Sequence, residues 1–189
     1  MKHVICLVLL ASFAACNPSA RASDVPAMAW DFHPEGAAWT AASLAMLAGD
    51  AASLTSQSPR DIAEWCPGYI GATTVERAAF WSGLLSALAE YESTWNADAV
   101  GGDGRWFGLV QISPATARFY GCAATRGTEL RDGAANIRCA LRIWSVTVAR
   151  DGVVSAGGSG VAADWGPMVV PSRRAAIQAW TRAQAYCQA

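Results

Sequence analysis

Net charge, histidine and long apolar runs are all scarce in this sequence. The formal net charge over 189 residues is −1, which argues against a general nucleic-acid binder, whose footprint is a basic excess. Beyond the first residues no second long apolar run occurs, so no transmembrane segment follows the leader. Of two histidines, only His33 lies beyond the leader. A nucleophile–histidine triad would have one base to draw on, nothing around His33 suggests a partner, and it reads as a surface residue. No CxxC or other zinc spacing is visible. "GGDG" at Gly101 to Gly104 lacks the lysine and Ser/Thr of a phosphate loop and reads as a turn. The acidic residues do not follow a calcium-loop spacing. No cofactor and no metal is implied. Internal repeats are absent, and β-branched residues are sparse outside a few short runs. With Ala, Gly and Trp abundant, the chain reads as one mostly helical domain of ordinary size.

Lys2 precedes the apolar run "VICLVLLASFAAC". It is too short to span a bilayer and suits a secretory signal. Two endings are open. "ARA" at Ala20 to Ala22 is a small-x-small cleavage site that would start the mature chain at Ser23. "FAAC" resembles a bacterial lipobox and would make Cys16 a lipid-anchored N-terminus, with Phe13 unusual at its first position. Either way the chain is expected in the periplasm or cell envelope. Six cysteines are present. Cys6 and Cys16 fall in the leader, and Cys66, Cys122, Cys139 and Cys187 form an even set in an exported chain, which reads as two disulfides.

After a leader at 1–22, residues 23–70 read as an N-terminal helical extension packed on the main domain at 71–189, because the segment is too short for its own core. "PEGAAWTAASLAMLAGD" reads as a helix. "PRDIAEW" reads as a second one, with proline early and Asp61 in its first turn. A third runs from about Val75 to Ser93, capped by Thr73 or Thr74. The bend "AVGGDGRWFG" follows, and "FGLVQI" is strand-like. Ser113-Pro114 opens "PATARFYG", "DGAANIRCALRIWSVTVARDG" is a further helix, "SAGGSG" is a flexible loop, and "PSRRAAIQAWTRAQAYC" is a last amphipathic helix.

"EYESTWN" poses the functional question. A helix turns about 100° per residue, so Glu90 and Glu92 point about 200° apart. Trp81, Leu85, Leu88 and Ala89 lie within about 60° of Glu92, with Arg77 as an exception, whereas Glu76, Gly83 and Ser86 lie toward Glu90. Glu90 therefore belongs to a solvated face and Glu92 to the apolar one. Desolvation raises a carboxyl pKa, and a helix C-terminus disfavours negative charge. Both keep a proton on Glu92 nearer neutral pH, as protonation of a glycosidic oxygen requires. A capping or ion-paired core glutamate is the alternative from geometry alone.

Here the sequence resembles the soluble lytic transglycosylase (SLT domain) family of the lysozyme-like superfamily. Glu92-Ser93 looks like the family's "ES". "GGDGRWFGLVQISPATA" looks like its glycine-rich turn, "GLMQ" and "PATA", with Gly108, Leu109, Val110 and Gln111 filling the GLMQ positions. Asn136-Ile137 looks like its later "NI". The downstream "AYNAG" with its active-site tyrosine is missing, and the region reads "GVAADWGPMVV". The resemblance implies a mainly α, lysozyme-like α+β domain with a small β-hairpin-like element. It also implies cleavage of the MurNAc–GlcNAc bond of peptidoglycan glycan strands.

In the reaction so implied, Glu92 protonates the glycosidic oxygen and then takes the C6 hydroxyl proton, leaving a 1,6-anhydro sugar. One carboxyl suffices, unlike the paired acids of ordinary glycosidases. Ser93 and Gln111 are expected to bond substrate or to hold Glu92. Phe107 would border the cleft. Among nine tryptophans, Trp95, Trp106 and Trp165 sit near loops where a ring could stack on sugar, and Trp81 and Trp144 read as core. The alternatives are a muramidase using Asp103 to position water, and a non-catalytic wall-binding or assembly protein. The disulfides are expected as Cys122–Cys139, closing a short loop between adjacent helices, and Cys66–Cys187, tying the last helix to the early ones.

Overall fold

The computed structural model describes residues 25–188. The expected leader, the expected cleavage point after Ala22 and the alternative lipid site at Cys16 lie outside the described residues. The described chain is mainly helical: α1 (Gly36–Ala48), α2 (Ala52–Ser56), α3 (Ile62–Trp65), α4 (Thr74–Ser93), α5 (Pro114–Phe119), α6 (Gly127–Leu130), α7 (Gly133–Asp151) and α8 (Pro171–Arg182). One small antiparallel sheet pairs β1 (Val100–Gly101) with β2 (Trp106–Phe107). No helix among the described residues is long and apolar enough to cross a membrane.

α4 is the axis of the fold. Thr73 caps it in a reciprocal box with Glu76, satisfying two free backbone donors at its start. From Ala79 to Ala89 it is buried on every face. This corrects the expectation of one solvated side: Gly83 and Ser86, placed toward Glu90, are both covered. Gly83 lies under the Tyr186 hydroxyl and the Trp180 ring, where a Cβ would collide. Ser86 Oγ accepts from the Ala29 amide at 2.9 Å and donates to the Gly83 carbonyl at 2.7 Å. Small residues let neighbours approach α4 closely, so its wheel is not amphipathic in the ordinary sense. Glu90 is exposed because the helix emerges from the core near its end. Phe80, Trp81, Leu84, Leu85 and Leu88 are fully buried, each stabilising the fold by about 1.5–3 kcal/mol through burial.

Around this axis, α1 packs on α7 and α4, and α8 on α4 and α3, so residues before α4 share a single apolar core with those after it. Trp81 and Trp144 are buried in it. His33 is half-buried and stacks on Trp39 at 4.3 Å between ring centroids, a packed residue more than a surface one.

The expected disulfides are present. Cys66–Cys187 ties the C-terminus to the loop after α3 across 121 residues, and Cys122–Cys139 links the turn after α5 to α7 across 17. Chain entropy assigns them about 5 and about 3 kcal/mol.

Three expectations shift. "FGLVQI" contributes only one residue, Phe107, to a strand before folding into a turn. The last helix stops at Arg182, and Cys187 sits in a separate short 3-10 turn. "SAGGSG" is not left loose, because the buried Asp61 accepts backbone N–H groups from Val154 at 2.6 Å, Ser155 at 2.9 Å and Ala156 at 2.9 Å.

Candidate active site

The site is built where α4 ends. Thr94 and Trp95 follow Ser93 with φ of 55° and 56°, two consecutive left-handed residues without glycine. This conformation costs energy and is held only where the surroundings enforce it. Here the Thr94 amide bonds the Glu90 carbonyl at 3.0 Å and the Trp95 amide the Ala89 carbonyl at 3.3 Å. The Trp95 indole donates to the Ser86 carbonyl at 2.8 Å, and its ring takes Phe32 edge-on at 4.9 Å. The reversal sends the chain out into the β1–β2 hairpin, which returns at Phe107.

Residues 107–112 form a tight loop beside the end of α4. Phe107 and Ile112 exchange two backbone hydrogen bonds, both 3.0 Å. Asn136 on α7 staples the loop from behind. Its Oδ1 accepts from the Val110 amide at 3.0 Å, and its Nδ2 donates to the carbonyls of Phe107 and Leu130, both at 2.9 Å. Gly108 has φ of 81°, and a Cβ there would strike the Leu130 carbonyl and the Asn136 amide. That closeness is the physical content of "GLVQ" followed by "NI": a fully buried amide reads three backbone groups, and the glycine makes room for it.

Ser93 Oγ donates to the Leu109 carbonyl at 2.8 Å, coupling the loop to the turn of helix that carries Glu92. Gln111 gives its Nε2 to the carbonyls of Gly108 at 2.9 Å and Ala99 at 3.3 Å, and its Oε1 lies against Gly101. Both side chains are thus engaged with backbone, bracing the hairpin and loop. Phe107 is half-buried with its ring packed under Gly127 of α6. Trp165 is 4% exposed; its indole donates to the Val110 carbonyl at 2.8 Å and its ring meets Trp144 edge-on. Trp106 differs: it is 41% exposed on the hairpin. Asp103 is exposed at the hairpin's tip, with φ of 56°.

Glu92 is half-buried, and among the described residues no hydrogen-bond donor reaches its carboxyl. Burial pushes its pKa up from 4.5 to about 7, opposed more weakly by the Arg173 guanidinium. Arg173 stands in the first turn of α8, 81 positions downstream; sequence reasoning had no means of pairing it with Glu92. A carboxyl so placed holds a transferable proton near neutral pH. Where the family's tyrosine was missed, Asp164 accepts from the Tyr120 hydroxyl at 3.0 Å. Asp164 also lines a small cavity with Trp106, Gln111, Ser113 and Trp165. No group of three His, Cys, Asp or Glu side chains suited to a metal occurs among the described residues.

This arrangement, a raised acid at the end of a buried helix beside a hairpin and a stapled loop, is that of a lysozyme-like fold. Residues 72–150 match the family model described as Transglycosylase SLT domain, which supports a lytic-transglycosylase-like enzyme in general terms. Among solved structures, three of Bd0314 DslA are similar: a wild-type form and two glutamate-to-glutamine mutants. Each superposes with a TM-score of 0.78 at 25% identity, covering 88% of this chain and 100% of that one. No curated protein matches the sequence.

Proposed function

We propose that this protein is an exported peptidoglycan lytic transglycosylase, with Glu92 as its single general acid and base. The observation that carries the reading is Glu92 itself: a carboxyl raised to about 7 by burial, at the end of α4 and inside the segment that matches the SLT model. Protonated, it delivers its proton to the oxygen between N-acetylmuramic acid and N-acetylglucosamine as that bond breaks. The N-acetyl group of the muramic acid stabilises the positive charge developing at C1. The carboxylate so formed takes the proton of the C6 hydroxyl, whose oxygen closes on C1. Proton count is restored at Glu92, and the product is a 1,6-anhydro sugar. Ser93, Gln111 and Asn136 keep the Glu92 turn and the 107–112 loop in register. The two disulfides fit an oxidising compartment such as the periplasm or cell envelope.

A muramidase is the second reading, and one observation favours it. The two substituted glutamates of the DslA mutants lie eleven positions apart, the separation between Glu92 and Asp103 here. Asp103 would then position a water for attack at C1. Cleavage of purified peptidoglycan by the mature protein in a zymogram, abolished in Glu92→Gln, tests the enzyme reading. A wild-type protein that binds peptidoglycan and clears none would overturn it in favour of a wall-binding role.

A further inference from the structure

A second groove adjoins the small cavity that holds Asp164, sharing Trp106 and Ser113 with it. Its volume is about 420 Å³, and Arg105, Trp106, Pro114 and Arg118 line it. Both arginines are exposed, yet each is pinned at one nitrogen. Arg105 Nε donates to the Gly102 carbonyl at 2.7 Å, and its guanidinium sits 4.8 Å from the Trp106 ring centroid. Arg118 donates from one terminal nitrogen to the Thr125 carbonyl at 3.2 Å. Neither takes part in a salt bridge among the described residues. Asp103, two residues from Arg105, makes no ion pair with it.

Two guanidinium groups lining one groove, each held by a backbone carbonyl and without a carboxylate partner among the described residues, offer donors that suit a carboxylate. We infer that this groove takes the carboxylates of the peptide stem carried by the glycan strand, and that Arg105 and Arg118 set a preference for peptide-bearing over stripped strands. The inference rests on the peptidoglycan reading of the site, and charge complementarity selects the occupant. Trp106 joins the two recesses: its indole lies against Gly102 and borders both. Gln111 of the 107–112 loop lines the recess that Trp106 shares with the groove, and Ser93, beside Glu92, bonds that same loop at the Leu109 carbonyl. Pro114, Ala115 and Arg118 of α5 form one wall of the groove. A strand stripped of its stems offers the groove only the short lactyl carboxylate held at the sugar, so the groove discriminates by what the sugar carries.

The test uses the mature chain with Glu92→Gln, which separates binding from cleavage. Dissociation constants are measured for soluble peptide-bearing strands and for the same strands after amidase treatment. Amidase leaves each lactyl carboxylate on its sugar, so the comparison isolates the peptide. A roughly five- to tenfold preference for peptide-bearing strands is expected, as charge-assisted hydrogen bonds provide. Adding R105Q and R118Q should bring the ratio close to one, while R138Q, an exposed arginine on another surface, leaves it in place. Circular dichroism confirms that each variant is folded. Equal affinity for both strands in the parent, or a ratio unmoved by R105Q and R118Q, overturns the inference. Absence of cleavage by the wild-type protein with the preference intact overturns the enzyme reading and leaves the inference standing.

Discussion

Asp61 and Glu92 are both withdrawn from solvent, and they are treated in opposite ways. Asp61 is 7% exposed and takes three backbone N–H groups from Val154, Ser155 and Ala156. It spans about ninety residues of sequence to hold down a glycine-rich turn. Glu92 is less deeply buried, yet no donor reaches its carboxyl, and its pKa rises to about 7. Burial alone therefore does not make an acid reactive. Three backbone donors make the Asp61 side chain a fastening, and without such donors burial is left to raise the proton affinity of Glu92.

The largest effect expected from breaking this contrast is at Glu92. Glu92→Gln keeps the shape and removes the acid, so peptidoglycan cleavage should fall by roughly 10²–10⁴-fold or more while the fold survives. Glu90→Gln should retain near-full activity, because that side chain is exposed. Loss of activity in Glu90→Gln alone would show that the acid had been misassigned. Asp61→Ala should instead cost stability, about 3 kcal/mol in denaturant unfolding, since three backbone donors lose their side-chain acceptor, with activity kept by the folded fraction. Asp61→Asn, which retains one acceptor oxygen, should cost less.

The pH dependences should differ as well. The native protein holds the Glu92 proton up to about 7, while an unfolded glutamate loses it near 4.5. Native protein therefore binds more protons across that window, and its stability falls as pH rises through it. Glu92→Gln removes that penalty. The variant should match wild type near pH 4 and exceed it above pH 7 by about 1–3 kcal/mol, read from urea midpoints at both pH values. Activity, which needs the protonated acid, should decline as pH rises past about 7. The smallest effect is at Arg173, whose charge lowers the Glu92 pKa. Arg173→Ala should move that limb of the pH–rate profile to higher pH. A shift in the opposite direction would show that Arg173 does not act on Glu92 electrostatically.

Local signals made much of the fold legible. Thr73 with Glu76, Ser113 before Pro114 and Asp132 before α7 all cap the helices they precede, because capping is chemistry among residues three apart. The withdrawal of Glu92 from solvent was legible from its wheel position, although the wheel simplified α4. Its far side is covered by Tyr186 and Trp180, and coverage by distant residues leaves no periodic trace when Gly83, Ser82 and Ser86 supply the fit. What stayed hidden was of that long-range kind. Asp61 fastens residues 93 to 95 positions away, Arg173 faces Glu92 across the fold, and the Gln111 amide turns inward to carbonyls. The short helices α2 and α6 carry too few residues for a period to show. Trp165 sat near loops in the sequence and lies in the core, because its indole finds the Val110 carbonyl there.

We propose that Glu92 alone, as acid and then base, closes the C6 oxygen onto C1. Mass spectrometry of muropeptides released from purified peptidoglycan by the mature wild-type protein tests it most directly, with Glu92→Gln run beside it. Products ending in 1,6-anhydro-N-acetylmuramic acid, lighter by one water than a reducing end and missing with the variant, are the predicted result. Reducing ends that carry label from ¹⁸O-water would contradict it, placing water at C1 and a second carboxylate, with Asp103 foremost, in the reaction.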